Sequence, residues 1–155
     1  MRQDGEGGGC RTVRGLACFG GVSQRVLTAL VEYWTRRPVR FWVESELRYP
    51  ELFQGACRKN VPVEAGQLRA LLVGNVWELD LKIFPPDREP CVMETYEDFL
   101  RSGCLCCLLY YDCGDLEVYI RDEPDRAALL ALLQNAGVDP QPITEENDGR
   151  ERMRL

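Results

Sequence analysis

The most apolar run in the chain extends from Cys104 to Arg121 and reads CLCCLLYYDCGDLEVYIR. Residues 105–111 are apolar at every position, which is typical of a strand buried on both faces. The DCGD that follows at 112–115 is a turn sequence, because Gly accepts positive φ and Asp bonds nearby N–H groups. Leu116, Val118 and Ile120 then alternate with Glu117, Tyr119 and Arg121, as in a strand that exposes the second set to solvent. The stretch predicts a central β-hairpin.

Shorter amphipathic segments lie on either side of this hairpin. Alternation predicts a strand over 77–83 in which Glu78, Asp80 and Lys82 face solvent. Spacing of three and four residues, with capping residues at the ends, predicts helices. The remaining predicted elements are strands over 12–19 and 39–44 and helices over 23–34, 63–73, 95–103 and 122–137. Residues 143–154 predict a terminal hairpin, with a frayed chain end as the alternative.

These elements fit a single α+β domain over residues 11–155. The sheet is expected to be mixed or mostly antiparallel, with the hairpin of about 104–121 at its centre and the helices mainly on one face. Residues 1–10 are rich in Gly and charge, and we expect them to be disordered.

The acidic charge of residues 51–155 limits the classes of partner that we expect. Residues 51–155 carry 20 acidic and 11 basic side chains, and the whole chain has a net charge of −6. Phosphate backbones are bound by clustered cations, so we expect no nucleic acid partner, whereas a basic protein would be attracted. No apolar run reaches 18 residues and the start lacks a secretory pattern. The expectation is a cytoplasmic protein that does not cross a membrane.

Histidine is absent, and this excludes several kinds of site. Ser-His-Asp and Cys-His nucleophile arrangements both need a His. The common zinc and non-haem iron motifs that use His are excluded too. We therefore predict no catalytic residue and no cofactor, and any acid–base chemistry would depend on Asp, Glu, Cys, Tyr or Lys.

The eight cysteines are expected to be reduced. Cys104 and Cys107 form a CxxC, but on a strand they would point to opposite faces, so we predict no metal there. Small buried apolar side chains are the favoured interpretation. Cys113, at the hairpin turn, is the predicted reactive thiol.

Three stretches resemble a domain-of-unknown-function family of small uncharacterised proteins from spore-forming Gram-positive bacteria. They read TYEDFL at 95–100, DCGDLEVYIRD at 112–122 and ITEENDGRER at 143–152. The resemblance covers residues 76–152. It implies a compact α+β domain of about this length and transfers no activity or site residue.

Trp42 is the predicted contact residue. It lies on the polar side of its strand between Arg40 and Glu44, and an exposed Trp flanked by charges is a typical contact hot spot. The favoured hypothesis is a non-enzymatic bacterial interaction module, monomeric or homodimeric, that binds a basic protein in the manner of an immunity protein. The alternative is a small enzyme or ligand-binding domain that uses Asp, Glu or Cys in a pocket between sheet and helices.

Overall fold

A computed structural model describes residues 12–44, 61–74, 76–112 and 114–155. The described residues form a single α+β domain built on one open antiparallel sheet. Its strands are β1 (Val13–Cys18), β2 (Arg40–Val43), β3 (Val61–Val63), β4 (Leu79–Phe84), β5 (Cys106–Tyr111), β6 (Asp115–Ile120) and β7 (Gln141–Thr144). Its helices are α1 (Gln24–Trp34), α2 (Ala65–Val73), α3 (Tyr96–Ser102) and α4 (Glu123–Asn135).

The predicted hairpin is confirmed and lies in the interior of the sheet. The strand order is β3-β2-β4-β5-β6-β1-β7, and every neighbouring pair is antiparallel. Leu108 sits opposite Leu81 on one side and Val118 on the other. The apolar run therefore forms a strand with neighbours on both edges, as its composition predicts.

α1 and α3 begin at the capping residues that the sequence predicts. Ser23 caps α1 by accepting a bond from the Val26 N–H. Thr95 and Asp98 form a reciprocal capping box at the start of α3. Each arrangement satisfies N–H groups that have no partner inside the helix. None of the helices in the described ranges is long and apolar enough to cross a membrane.

Both faces of the sheet are covered, which the alternation pattern did not indicate. α1, α2 and α4 pack on one face, where Trp34 and Leu108 belong to the main core. A second core on the opposite face contains Phe99 of α3, Met93 and Met153. The prediction that helices lie mainly on one face is confirmed, but α3 and the C-terminal segment cover the other.

Three side chains that the alternation predicted to face solvent are consequently buried. Asp80 and Lys82 are each 1% exposed, and Tyr119 is completely buried. Trp77, predicted to open β4 as an inward residue, precedes the strand and is exposed. The predicted terminal hairpin is also wrong, because residues 141–144 pair with β1 and residues 150–154 form no strand.

Both edge strands of the described sheet carry a proline. Pro62 lies in β3 opposite Trp42, and Pro142 lies in β7 opposite Leu16. Proline has no N–H to donate to a further strand. The two edges are therefore poorly suited to adding a strand from a partner, and binding would have to use side-chain surfaces.

Candidate functional site

The second face of the sheet holds a buried charged cluster. The Lys82 ammonium donates hydrogen bonds to Asp80 and to Glu44 Oε2, the latter at 2.9 Å. All three side chains are at least nine-tenths buried. The backbone N–H of Leu155 donates to the second oxygen of Asp80 at 3.0 Å, so the C-terminal segment closes over the cluster.

The electrostatics of this cluster oppose nucleophilic chemistry at Lys82. Burial works against the charge of the ammonium, but the negative groups around it outweigh this effect and raise the pKa of Lys82. Because Cys107 is a neutral thiol at neutral pH, the carboxylates of Asp80 and Glu44 provide the stabilisation. Burial raises the pKa of Asp80 to about 6 even though Lys82 lowers it. Lys82 is thus a charged structural lysine.

The cysteine thiols near this cluster are also expected to be unreactive. Cys104 and Cys107 belong to the same core cluster, which corrects the expectation of opposite faces. β5 begins only at Cys106, so strand alternation does not apply to Cys104. Burial raises the pKa of Cys104 to about 12 and raises that of Cys106 and Cys107 as well. Within the described ranges no group of His, Cys, Asp and Glu has a metal-binding arrangement.

Alkylation of the native protein with iodoacetamide at pH 8 is expected to label Cys91 and to spare Cys104, Cys106 and Cys107. Cys91 is exposed, whereas the other three thiols are buried and protonated. Peptide mass spectrometry before and after addition of denaturant measures the difference. Labelling of the three β5-region cysteines in native protein at the rate of Cys91 would contradict their placement. Cys113, the predicted reactive thiol, lies outside the described residues.

The C-terminal segment is tied to the hairpin by a network of charges and hydroxyls. Tyr119 donates to Asp148 at 2.7 Å, and Arg14 bonds the other Asp148 oxygen at 3.0 Å. Arg150 donates to Glu117 at 2.9 Å. Burial alone would raise the pKa of Glu117, but Arg150 and Tyr111 outweigh it, so that pKa is lowered. These side chains bond one another and act as a structural clamp.

The predicted contact residues do not form an exposed surface in the described chain. Trp42 is only 7% exposed and belongs to the second core, which corrects the expectation that it faces solvent. Glu44 is held by Lys82. Arg40 lies over the Trp42 ring at 4.9 Å and is partly exposed. A contact role for Trp42, Arg40 and Glu44 stays a prediction, but the exposed aromatic side chain on which it was based is buried.

A groove of about 740 Å³ lies between α3, the start of α4 and the turn after β7. We call it the acidic groove, because four glutamates line it. These residues are Glu97, Glu123, Glu145 and Glu146. Leu100, which is 43% exposed, adds an apolar contact surface. Its size is within the range of sites that hold a small molecule or a short peptide.

Cationic and aromatic side chains also line the acidic groove, and we call them the arginine group. They are Arg14, Arg121, Arg126 and Tyr96. The Arg14 guanidinium carbon lies 4.3 Å from the centre of the Tyr96 ring, as in a cation–π contact. Arg126 donates to the Val13 carbonyl at 3.0 Å. Arg121 binds carbonyl groups at the end of α3, including that of Phe99 at 2.9 Å.

A second groove, of about 750 Å³, lies beside β7 and the C-terminal segment. Two of its apolar lining residues, Phe19 and Leu155, are exposed. Several of its charged members already belong to the clamp, since Arg150 bonds Glu117 and Asp148 bonds Arg14. It offers fewer uncommitted charges than the acidic groove.

The three stretches on which the family resemblance rests converge at the acidic groove. TYEDFL contributes Tyr96, Glu97 and Leu100, the hairpin contributes Arg121, and ITEENDGRER contributes residues 144–146. Sequence reasoning did not find this site, because each glutamate taken alone is an ordinary surface residue. The three resemblance stretches were the signal in the sequence that could have indicated the site. Their proximity depends on the antiparallel order of β6, β1 and β7.

A family model described as a protein of unknown function (DUF2691) matches residues 42–154, so the chain belongs to that family. The predicted resemblance to a domain-of-unknown-function family is confirmed, and the match extends upstream of residue 76. No curated protein and no solved structure matches the chain significantly.

Proposed function

We propose that this DUF2691 chain is a non-enzymatic interaction module whose acidic groove binds a basic segment of a partner protein. The convergence of all three resemblance stretches on one groove carries the proposal. The setting that we propose is the bacterial cytoplasm, in a spore-forming Gram-positive species. Neutralisation of a basic toxin, in the manner of an immunity protein, is one form that such binding would take.

The charges at the rim support a basic ligand. In the part of the chain that the structure describes, the carboxylates of Glu97, Glu123 and Glu145 have no ion-pair partner. Lys or Arg side chains of a ligand would therefore add contacts without breaking existing ones. Opposite charges across an interface also accelerate the encounter of the two partners.

Leu100 gives the groove a means of binding more than charge. Its exposed side chain lies on α3 beside Glu97, so an apolar residue next to a basic one in the ligand would find both contacts. Burial of apolar area contributes about 25 cal/mol per Å². The favoured ligand is thus a segment in which basic and apolar side chains occur together.

The alternative, a small enzyme or ligand-binding domain with Asp, Glu or Cys in a pocket, receives less support from the described residues. Asp80, Lys82 and Cys107 are titratable groups in the core, and each is at most 1% exposed. Neither of the two larger grooves is lined by any of them. A substrate would have to displace the C-terminal segment to reach them.

The proposal is tested with a fluorescein-labelled peptide of alternating Lys and Leu residues that has an amidated C terminus. Fluorescence anisotropy compares wild type with a rim triple variant, which carries Glu97→Gln, Glu123→Gln and Glu145→Gln. We expect the triple variant to bind about tenfold more weakly, because each exposed ion pair contributes roughly 0.5 kcal/mol. High salt should reduce the difference.

A matched control has the same change in net charge at exposed acids outside the groove. It carries Asp87→Asn, Glu89→Gln and Glu151→Gln. This control should bind the peptide within about twofold of wild type, because long-range charge effects are screened. The proposal fails if wild type does not bind the peptide, or if the control loses as much affinity as the rim triple variant.

A further inference from the structure

The acidic groove contains three guanidinium groups that a purely basic ligand would not need. From this arrangement we infer that the arginine group binds a carboxylate, and that the ligand is a basic segment ending in its free C-terminal carboxylate. The inference rests on the proposed function and specifies which part of the partner enters the groove.

The arginines retain hydrogen-bond donors for such a group. A guanidinium has five N–H donors. In the described chain, Arg14 uses Nη1 on Asp148, and Arg126 uses Nη1 on the Val13 carbonyl. Their other N–H groups have no partner among the described residues. Both therefore have donors that could form the short charged bonds typical of Arg–carboxylate pairs.

Tyr96 adds a neutral donor to the same place. Its ring lies under Arg14, and its hydroxyl has no hydrogen-bond partner among the described residues. Burial raises the pKa of Tyr96, while Arg14, Arg126 and Arg121 all act to lower it, so the three cations lie close enough to affect one hydroxyl. The hydroxyl is protonated at neutral pH and can donate to an anion.

The surrounding glutamates decide which anion fits. Four carboxylates on the rim repel a ligand with several negative charges, such as a nucleic acid or a multiply phosphorylated peptide. A single carboxylate next to basic side chains matches both parts of the groove. The chain terminus is the one carboxylate that a segment without Asp or Glu possesses, so a basic C terminus fits best.

The test uses the alternating Lys–Leu peptide in two forms, one with a free C-terminal carboxylate and one amidated. Wild type should bind the free acid about tenfold more tightly than the amide. Arg126→Gln should remove this preference, because the carboxylate then loses one of its guanidinium partners. Tyr96→Phe should reduce the preference about threefold. Arg36→Gln, at an exposed arginine outside the groove, should keep the full preference.

The outcomes separate this inference from the proposed function. Binding of the amide with no preference for the acid overturns the inference and leaves the proposed function standing, whereas no binding of either peptide overturns the proposed function. Retention of the preference by Arg126→Gln, with an unchanged circular dichroism melting curve, also overturns the inference. Inorganic phosphate that displaces the acid peptide more effectively than acetate would show that the site prefers phosphate, and would overturn it as well.

Discussion

Replacement of Lys82 by Met is expected to lower the free energy of unfolding by about 3–5 kcal/mol at pH 7. Met has nearly the length of Lys but no charge, so it leaves the carboxylates of Asp80 and Glu44 buried without their cation. Removal of one partner from a buried ion pair is costly because the remaining charge has lost its water. Urea unfolding followed by circular dichroism measures the change.

Two controls make the Lys82 result specific. Arg25→Met removes a cation from an exposed position of α1 and should change stability by less than about 0.5 kcal/mol. A triple variant with Lys82→Met, Asp80→Asn and Glu44→Gln removes the charges together and should recover much of the loss. A loss below about 1 kcal/mol for Lys82→Met alone would contradict the described cluster.

The contribution of this cluster to stability depends on pH through the titration of Asp80. Because burial raises its pKa from 3.8 to about 6, folded Asp80 binds a proton more readily than unfolded Asp80. Its contribution to stability is present below about pH 4 and is lost as the pH rises through 6. Asp80→Asn does not titrate, so its stability relative to wild type should increase by roughly 2 kcal/mol from pH 4 to pH 7. The penalty of Lys82→Met should also be smaller at pH 5, where Asp80 is protonated.

Gly15→Ala is also expected to have a large effect and to destabilise the protein by more than about 3 kcal/mol. A Cβ at Gly15 would lie 1.9 Å from the Val118 carbonyl oxygen, which belongs to the neighbouring backbone and cannot rotate away. Strands β1 and β6 would have to separate, and overpacking of this kind costs 1–3 kcal/mol or more. Thermal unfolding followed by calorimetry measures the loss, and failure to fold would be its extreme form.

Gly66→Ala is the matched control for this prediction and should stabilise the protein. Gly66 lies inside α2, and apart from the adjacent helix backbone no described atom is within 4 Å of its added Cβ. Ala is favoured over Gly in a helix by about 0.8–1 kcal/mol. If the two variants changed stability equally, the close approach of β1 and β6 at Gly15 would be refuted.

The sequence predicted those parts of the fold that depend on local pattern. The hairpin, the capped start of α3 at Thr95 and the apolar stripe of α1 all follow from neighbouring residues, and all are present. The prediction that Asp80 and Lys82 face solvent was wrong, because alternation in β4 shows only that the two strand faces differ in polarity. It does not show that the C-terminal segment returns to cover Asp80 and Lys82, about 70 residues away along the chain.

Prediction of the site failed for a related reason. Arg40 and Glu44 flank Trp42 and make it appear exposed in the sequence, but the Glu44 side chain is buried beside Lys82, which donates a hydrogen bond to it. A buried ion pair makes a core face appear polar in the sequence. The acidic groove was missed because Glu97, Glu123 and Glu145 come from elements far apart in the chain, brought together by the strand order.

An NMR titration of the ¹⁵N-labelled protein with the alternating Lys–Leu peptide shows directly whether the acidic groove binds a basic segment. We expect the largest amide shift changes to cluster at residues 96–100, 121–126 and 144–146, which surround the acidic groove. The rim triple variant should show much smaller changes at the same peptide concentration. Shift changes that cluster instead around exposed Val73 and Trp77, or that are absent at millimolar peptide, would contradict the proposal that the acidic groove binds a basic partner.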